Sequence, residues 1–490
     1  MKTQISLLAL SVLVASGAQA MQALDDSSMS DVAGQAGITI EQTTNGVDGF
    51  LMGTGEIKYT QADTAGQGEV DVTIDGMTVR SYVFDNTKTN NFGGYNTIRR
   101  VIDINADGDL SIKTMDIDTL DIKIGAIAIG GRRVNSGIDI NVWKLAAGSY
   151  LETEVKNDFA GAKIISRNVM KAGSGYNQIV YENGLNISSD TVFLPNVGDD
   201  AFVSELILTS EGDGLKIEVG ATKGTMEIKN LSILDSDGTN LFGSGNSFGD
   251  FGYGNVTVNE GYITVLASQD PTNRNGIEGA IFSDIDIGNA YYRTGNARLN
   301  ANNVMFTTGG ELHYRLAFMD NGYASGLEGQ FVSSSTATAS LSIGSLTLSD
   351  ADGSNETNSI GSLAISNLSL NSGTAEVSIY TLPGYGNEGL RQVINATDES
   401  SFDLVLYDES TAVGAPKLSA NIVINNLTQD QTINYTKKGI RIQTVSSSMD
   451  MNINAIKAGN NQTYQGQSGR IVMNNFHQVS GGYTNIEPLR

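Results

Sequence analysis

Along most of this chain, apolar residues alternate with polar ones for a few positions, slip by one, and alternate again. "GTMEIKNLSILDSDG" (224–238) and "ASLSIGSLTLSDADG" (339–353) align without a gap. "GSLAISNLSL" (361–370) and "GDLSIKTMDI" (108–117) follow the same template, and 278–287, 297–306 and 420–427 follow it more loosely. With φ for an apolar residue, the pattern is φ-x-φ-x-x-φ-x-φ. Alternation with period two marks a half-buried strand. Met226 and Ile228 share one face, but Leu231 and Ile233 have the opposite parity and would point the other way in a straight strand. Each copy therefore contains either a bulge or a corner where the strand changes sheet. The slips fall at Lys229-Asn230, Asn302-Asn303, Gly344-Ser345 and Ser366-Asn367. Asn and Gly tolerate the positive φ that bulges and corners often need. Asn-Asn pairs at 90–91, 302–303, 425–426, 460–461 and 474–475 suit the same purpose.

The copies start at irregular intervals, whereas a strict solenoid keeps a constant period. The expected fold class is all-β: a large, elongated, twisted, mainly antiparallel β-architecture with solenoid-like wrapping, the alternative being tandem β-sandwiches. Candidate breaks lie at 146–150, 268–276 and 382–389. The expected organisation is a signal peptide (1–20), an opening segment in which a short helical turn runs into a strand (21–45), a first β-region (46–150) and a β-rich body of degenerate repeats (151–490).

The first twenty residues, "MKTQISLLALSVLVASGAQA", combine a lysine, a short apolar run and a small-x-small end, the marks of a cleaved export signal. The chain has no cysteine, so the exported protein relies on packing and backbone hydrogen bonds without disulfides. Its 57 glycines and 5 prolines suit strands and turns, and 40 % hydrophobic residues suffice for a core. A net charge of −24 argues against nucleic acid and anionic lipid as partners. No segment after residue 20 is long and apolar enough for a transmembrane helix.

Catalytic chemistry finds little footing. Two histidines are too few for a typical His-based metal site, and there is no P-loop and no G-x-S-x-G elbow. Carboxylates are plentiful, which leaves open a carboxylate-dependent polysaccharide hydrolase, but no pair stands out. The expectation is a non-enzymatic protein. "DSDGTN" (235–240) and "DADGSNE" (350–356) set alternating carboxylates beside glycine. Asp235, Asp237, Asp350 and Asp352 are candidates to hold structural calcium, against the simpler reading of tight Asp-Gly turns. "LFGSGNSFGDFGYG" (241–254) sets Phe242, Phe248, Phe251 and Tyr253 among glycines. Such a loop either stacks on sugar rings or a partner, or folds back as a lid over a sheet end.

The opening stretch "LDDSSMSDVAGQAGITIE" (24–41) reads as a helical turn entering a strand. Asp25 and Asp26 suit a helix N-terminus, Leu24, Met29 and Val32 fall on one face, and Gly34 can end the turn. It either caps the first sheet edge or docks a partner. Leu24, Asp25, Asp26, Met29, Ser30, Val32, Gly34, Gln35, Gly37 and Ile38, placed just after a signal sequence, make this stretch resemble the N-terminal segment of a bacterial family of pilus-assembly proteins, FilA. The resemblance covers about twenty residues. It implies a Gram-negative exported protein tied to a surface filament, and hence located in the periplasm, at the outer-membrane surface or in the fibre. Other pilus or fimbrial assembly proteins are then the expected partners. The docking candidates are Leu24, Asp25, Asp26, Met29, Val32, Gly34, Gln35, Gly37 and Ile38. The alternative is a surface adhesin that contacts host matrix or glycan through the aromatic-glycine loop.

Overall fold

The computed structural model describes residues 38–43, 50–61, 70–82, 97–104, 108–129, 132–158, 161–182, 185–211, 214–234, 237–240, 247–267, 276–318, 326–331, 338–355, 358–370, 376–382, 389–396, 399–407, 416–436, 439–458, 469–478 and 482–486. The export signal, the opening stretch as far as Gly37, Asp235, Phe242 and the Asn pairs 90–91 and 460–461 lie outside the described residues.

The described chain is all-β, with 32 strands. The first eleven are β1 (Ile38–Thr43), β2 (Phe50–Thr54), β3 (Ile57–Gln61), β4 (Val70–Ile74), β5 (Met77–Tyr82), β6 (Thr97–Ile104), β7 (Leu110–Met115), β8 (Thr119–Ile124), β9 (Ile127–Ile129), β10 (Arg132–Asn135) and β11 (Gly137–Lys144). There follow β12 (Tyr150–Asp158), β13 (Gly161–Lys171), β14 (Gly175–Glu182), β15 (Leu185–Leu194), β16 (Ala201–Glu211), β17 (Gly214–Val219), β18 (Thr225–Leu234), β19 (Asp250–Ala267) and β20 (Gly276–Thr294). The last are β21 (Ala297–Thr308), β22 (Leu312–Phe318), β23 (Gly326–Phe331), β24 (Ala339–Asp350), β25 (Asn358–Leu370), β26 (Glu376–Leu382), β27 (Gly389–Ala396), β28 (Ser400–Tyr407), β29 (Pro416–Thr436), β30 (Gly439–Ala458), β31 (Gly469–Gln478) and β32 (Tyr483–Ile486).

Twenty-eight strands form one continuous antiparallel system, and β3, β4, β9 and β10 form a small second sheet. The large system sorts into two ladders. The first joins β2-β5-β8-β11-β14-β15-β18-β19-β20-β21-β24-β25-β28-β29-β30-β31. The second joins β1-β6-β7-β12-β13-β16-β17-β19-β20-β22-β23-β26-β27-β29-β30-β32. Each ladder holds 16 strands, and the long strands β19, β20, β29 and β30 serve in both, which accounts for the 28. The order has a simple meaning. The chain is an up-and-down meander of sixteen long passes, each creased across its middle, and each pass pairs only with the passes before and after it. A pass is either one long strand or two short ones joined at the crease.

The crease has a backbone signature. Successive crossings of the fold line carry a residue in the left-handed region: Asp116 (φ 65°), Gly148 (84°), Gly173 (90°), Gly198 (90°) and Gly224 (91°). A left-handed residue turns an extended chain sharply, and glycine adopts that conformation without a Cβ clash. Three crossings close as turns, with Ser149 N donating to Ala146 O at 2.9 Å, Ser174 N to Lys171 O at 3.1 Å and Asp199 N to Asn196 O at 3.0 Å. The hydroxyls stitch two of these turns together. Ser149 Oγ and Ser174 Oγ lie 3.1 Å apart, Ala146 N donates to Ser174 Oγ at 3.0 Å, and Lys171 N donates to Ser149 Oγ at 2.9 Å.

Several copies of the motif place their slip as expected. Asn230 (φ 54°), Asn303 (52°) and Asn426 (51°) are left-handed. Asn230 sits in a β15–β18 register shift, and Asn425-Asn426 sit where β29 leaves one ladder for the other. Asn474-Asn475 fall opposite Asp450 in a β30–β31 shift. Gly344 is needed for room: a Cβ there would stand 3.0 Å from the Cβ of left-handed Asn303. One copy differs. In 108–117 the period does not slip inside the strand. Ile112 and Thr114 are both buried, Met115 faces out against Arg99, and the parity changes only at Asp116, after β7 has ended.

The core lies between the two ladders near the fold line. Leu120, Ile122, Ile138, Trp143, Tyr176 and Phe193 come from the first ladder, and Ile98, Leu151, Met170 and Phe202 from the second. An aromatic chain crosses the gap: Trp143–Tyr176 (5.3 Å), Tyr176–Phe193 (6.0 Å) and Phe193–Phe202 (4.9 Å between ring centroids). Ile57, Ile74 and Ile127 of the small sheet pack against the same core. Each fully buried Ile, Leu or Met contributes about 1.5–3 kcal/mol relative to exposure.

The expected solenoid-like wrapping takes a different form. All these pairings are antiparallel, so the chain doubles back after each pass instead of winding onward about an axis. Nor do the ladders separate into tandem sandwiches. At residue 150 they run straight through, because β12 pairs with β7 on one side and β13 on the other.

Candidate functional site

Three regions concentrate chemistry: the aromatic loop with the cavity near it, the charged outer faces, and the last two strands.

The aromatic loop turns inward. Phe251, on β19, lies opposite Tyr292 on β20, their rings 4.8 Å apart. Phe248 stacks on Phe251 at 6.2 Å, and the Tyr292 hydroxyl donates to Phe248 O at 2.7 Å. Tyr253 packs against the main core, with its hydroxyl 3.8 Å from Met226 Sδ, and burial pushes its pKa up to about 12. All three rings are half-buried, Phe248 and Phe251 against Tyr292 and Tyr253 against the core. A cavity of about 340 Å³ opens beside Tyr253, lined by that ring and by Phe202, Met226, Tyr262, Ile281 and Phe306. Its wall is mostly apolar. Glu205, at the wall, is already bound to Arg167.

Charges meet in pairs on the outer faces. On β18, β19 and β20, Arg293 Nη2 donates to Glu227 Oε1 at 2.6 Å and to Asp250 Oδ2 at 2.7 Å, and Lys229 Nζ reaches Glu227 at 2.9 Å. Glu227 is only 3 % exposed. Burial alone would pull the Arg293 guanidinium down, but Asp250 and Glu227 outweigh it, and the net shift is upward. The Tyr291 ring covers Gly252, where a Cβ would stand 2.2 Å from ring carbons, and Arg298 stacks on that ring at 3.6 Å. On β12, β13 and β16, Arg167 bridges Glu205 (2.5 Å), Glu152 (2.9 Å) and Glu154 (3.4 Å). Burial again works against its charge, the three carboxylates win, and its pKa is raised. Both networks clamp neighbouring strands. Their carboxylates face cations at hydrogen-bond distance.

The Asp-Gly sequences make turns. Gly238 and Gly353 are left-handed (φ 79° and 82°). Asp352 Oδ1 accepts from Ser354 N (2.8 Å) and Ser354 Oγ (2.5 Å), which holds its carboxyl below the usual range. Asp350 accepts from Asn355 at 2.8 Å. Asp237 begins the other turn, at a distance in sequence of more than a hundred residues from Asp350 and Asp352. Among the described residues no group of three His, Asp or Glu side chains gathers as a metal site.

Of the docking candidates in the opening stretch, only Ile38 lies among the described residues. It starts β1 and pairs with Ile102. At the other end, β31 and β32 close the two ladders, and among the described residues no strand pairs with their outer edges. Ile471, Val472 and Phe476 are each nearly half exposed and Tyr483 is 61 % exposed, a concentration of apolar surface on ten residues of edge strand and its neighbour. The sequence carried this signal as one more copy of the motif, Ile471-x-Met473-x-x-Phe476. It also carried the turn signal Ala-Gly-Ser at 147–149 and 172–174, whose serines are 25 residues apart. The Glu227–Arg293 clamp joins residues 66 apart and has no local signature.

Residues 1–128 match a protein family of unknown function, DUF6160. That segment includes the opening stretch and the passes as far as β9. No curated protein and no solved structure matches the chain.

Proposed function

We propose that this chain is an exported, non-enzymatic structural or assembly component of a bacterial surface filament, working with other pilus or fimbrial assembly proteins. One observation carries the reading. Twenty-eight of the 32 described strands are spent on two continuous backbone ladders, which end together in an apolar edge. Such an architecture grows by adding strands and has no requirement for a central pocket. Charged side chains clamp neighbouring strands, and the aromatic loop packs inward, so a sugar-stacking surface at Phe248 and Phe251 is less favoured. The resemblance of residues 24–38 to FilA proteins points the same way and places the docking element in that stretch.

The test is localisation and loss of function together. Antibody against the chain should label intact cells or their fibres, and deletion of residues 21–40 should abolish fibres while the β-body stays folded. Normal fibres after that deletion would overturn the docking role. Normal fibres after loss of the whole gene would overturn the filament reading.

A further inference from the structure

The two ends of the meander match each other. The first pass runs from the second ladder (β1) to the first (β2), and the sixteenth runs from the first (β31) to the second (β32). Because the number of passes is even, the last pass of one copy and the first pass of another run in opposite directions when the copies stack in register. β31 would then meet β2, and β32 would meet β1, each antiparallel, as in every pairing inside the molecule.

Charge favours the same contact. From Leu24 to Gln61 there are six acidic residues and one lysine. From Lys437 to Arg490 there are six basic residues (Lys437, Lys438, Arg441, Lys457, Arg470, Arg490) and two acidic ones, in a chain whose net charge is −24. Opposite ends therefore attract, and like ends repel. Apolar side chains stand at both edges: Leu51 on β2 is 56 % exposed, Val472 on β31 is exposed on the same face of the first ladder, and Ile471 and Phe476 of β31 are exposed on its other face. A long apolar edge strand is a template for strand addition. A head-to-tail contact uses two different surfaces, and repeated without ring closure it propagates as a fibre.

From this juxtaposition we infer that the chain associates head to tail with further copies of itself, the β31/β32 edge of one copy pairing with the β1/β2 edge of the next. The proposal builds on the filament reading for its setting, and the two fail separately.

The experiment uses two full-length variants purified after export. I471E/F476E blocks the last edge at exposed positions. L51D/G53D blocks the first edge, and the Gly53 position has room because a Cβ there meets Thr78 only at ordinary contact distance (3.6 Å). Circular dichroism melting confirms that both fold. Sedimentation should show wild-type chains growing with concentration, and more weakly at high salt. Each variant alone should need at least about tenfold higher concentration to associate. Mixed together, they should form a one-to-one dimer through their intact edges and nothing longer. A wild-type chain that stays monomeric, a variant that still polymerises alone, or a mixture that fails to pair overturns the proposal. So does dimerisation of L51D/G53D alone, which would mean that two last edges pair with each other. Cell-surface fibres that depend on this gene although the purified chain stays monomeric would sink this inference and leave the filament reading standing.

Discussion

Between β8 and β11, Ile122 and Ile140 pair across the ladder, with Trp143 sealed behind them at 1 % exposure. Between β21 and β24, Asn300 donates to Ser349 at 3.0 Å and to Thr347 at 3.4 Å. The backbone arrangement is the same in both places. What the strands bury is not. From Met77 to Met226 the buried side chains are mostly Ile, Leu, Met, Phe and Trp. Beyond Ala297, the buried apolar side chains among the described residues are Tyr314, Ala339, Ala396 and Ala420, joined by Asn300, Thr308, Thr347, Ser349 and Thr444. The first region is held by packing between ladders. The second is held by hydrogen bonds and short side chains along them. One meander can thus be stabilised in two ways, because backbone pairing sets the geometry in either case and side chains only have to fill the space or satisfy one another.

The sharpest way to break this comparison is to empty the packed region. Trp143→Ala should cost about 3–5 kcal/mol, read from denaturant midpoints, while Asn300→Ala in the second region should cost only about 1–2 kcal/mol. Equal losses would mean that the two regions share one kind of support. Alkaline pH tests both at once. Burial pushes Tyr253 and Tyr314 up to about 12 from the ordinary 10, so folding favours their neutral forms. That stabilisation is complete below pH 10 and disappears as pH rises through 12, a loss of about 2–3 kcal/mol for each ring. Tyr253→Phe should remove its share of the alkaline loss in a pH series of melts. A smaller effect separates bulges from packing: Asn303→Val should cost about 1–2 kcal/mol because a β-branched residue resists the left-handed region, whereas Asn303→Gly should change stability by only a few tenths. The smallest change concerns the cavity at the boundary of the two regions. Val256→Ile, placed on its wall, should add about 0.5–1 kcal/mol if the space accepts one methylene.

The strands were legible from local pattern because half-burial writes a period of two directly into the chain. The slips were legible for the same reason, and Asn230, Asn303 and Asn426 adopt the backbone that their side chains favour. The creased meander was not legible. Its evidence is the identity of each strand's partners, which depends on residues tens of positions apart. The run Ile112, Thr114, Met115 illustrates the limit: an apolar Met sits outside and a Thr inside because Arg99 supplies a contact for Met115 that no nearby residue announces. Among candidate sites, the inward turn of Phe248 and Phe251 depends on Tyr292, and the Glu227 clamp on Arg293, so neither could be read from its own loop or strand. The apolar last strand was visible as sequence, but its standing at an edge was not.

Because each pass of the large system pairs its backbone only with its immediate predecessor and successor, the ladders can be completed one neighbouring pass at a time. Hairpins can form as they emerge from an export channel, and each completed one offers a template for the next. A destabilised pass would then interrupt propagation at that point, leaving the segments on either side able to hold their shape.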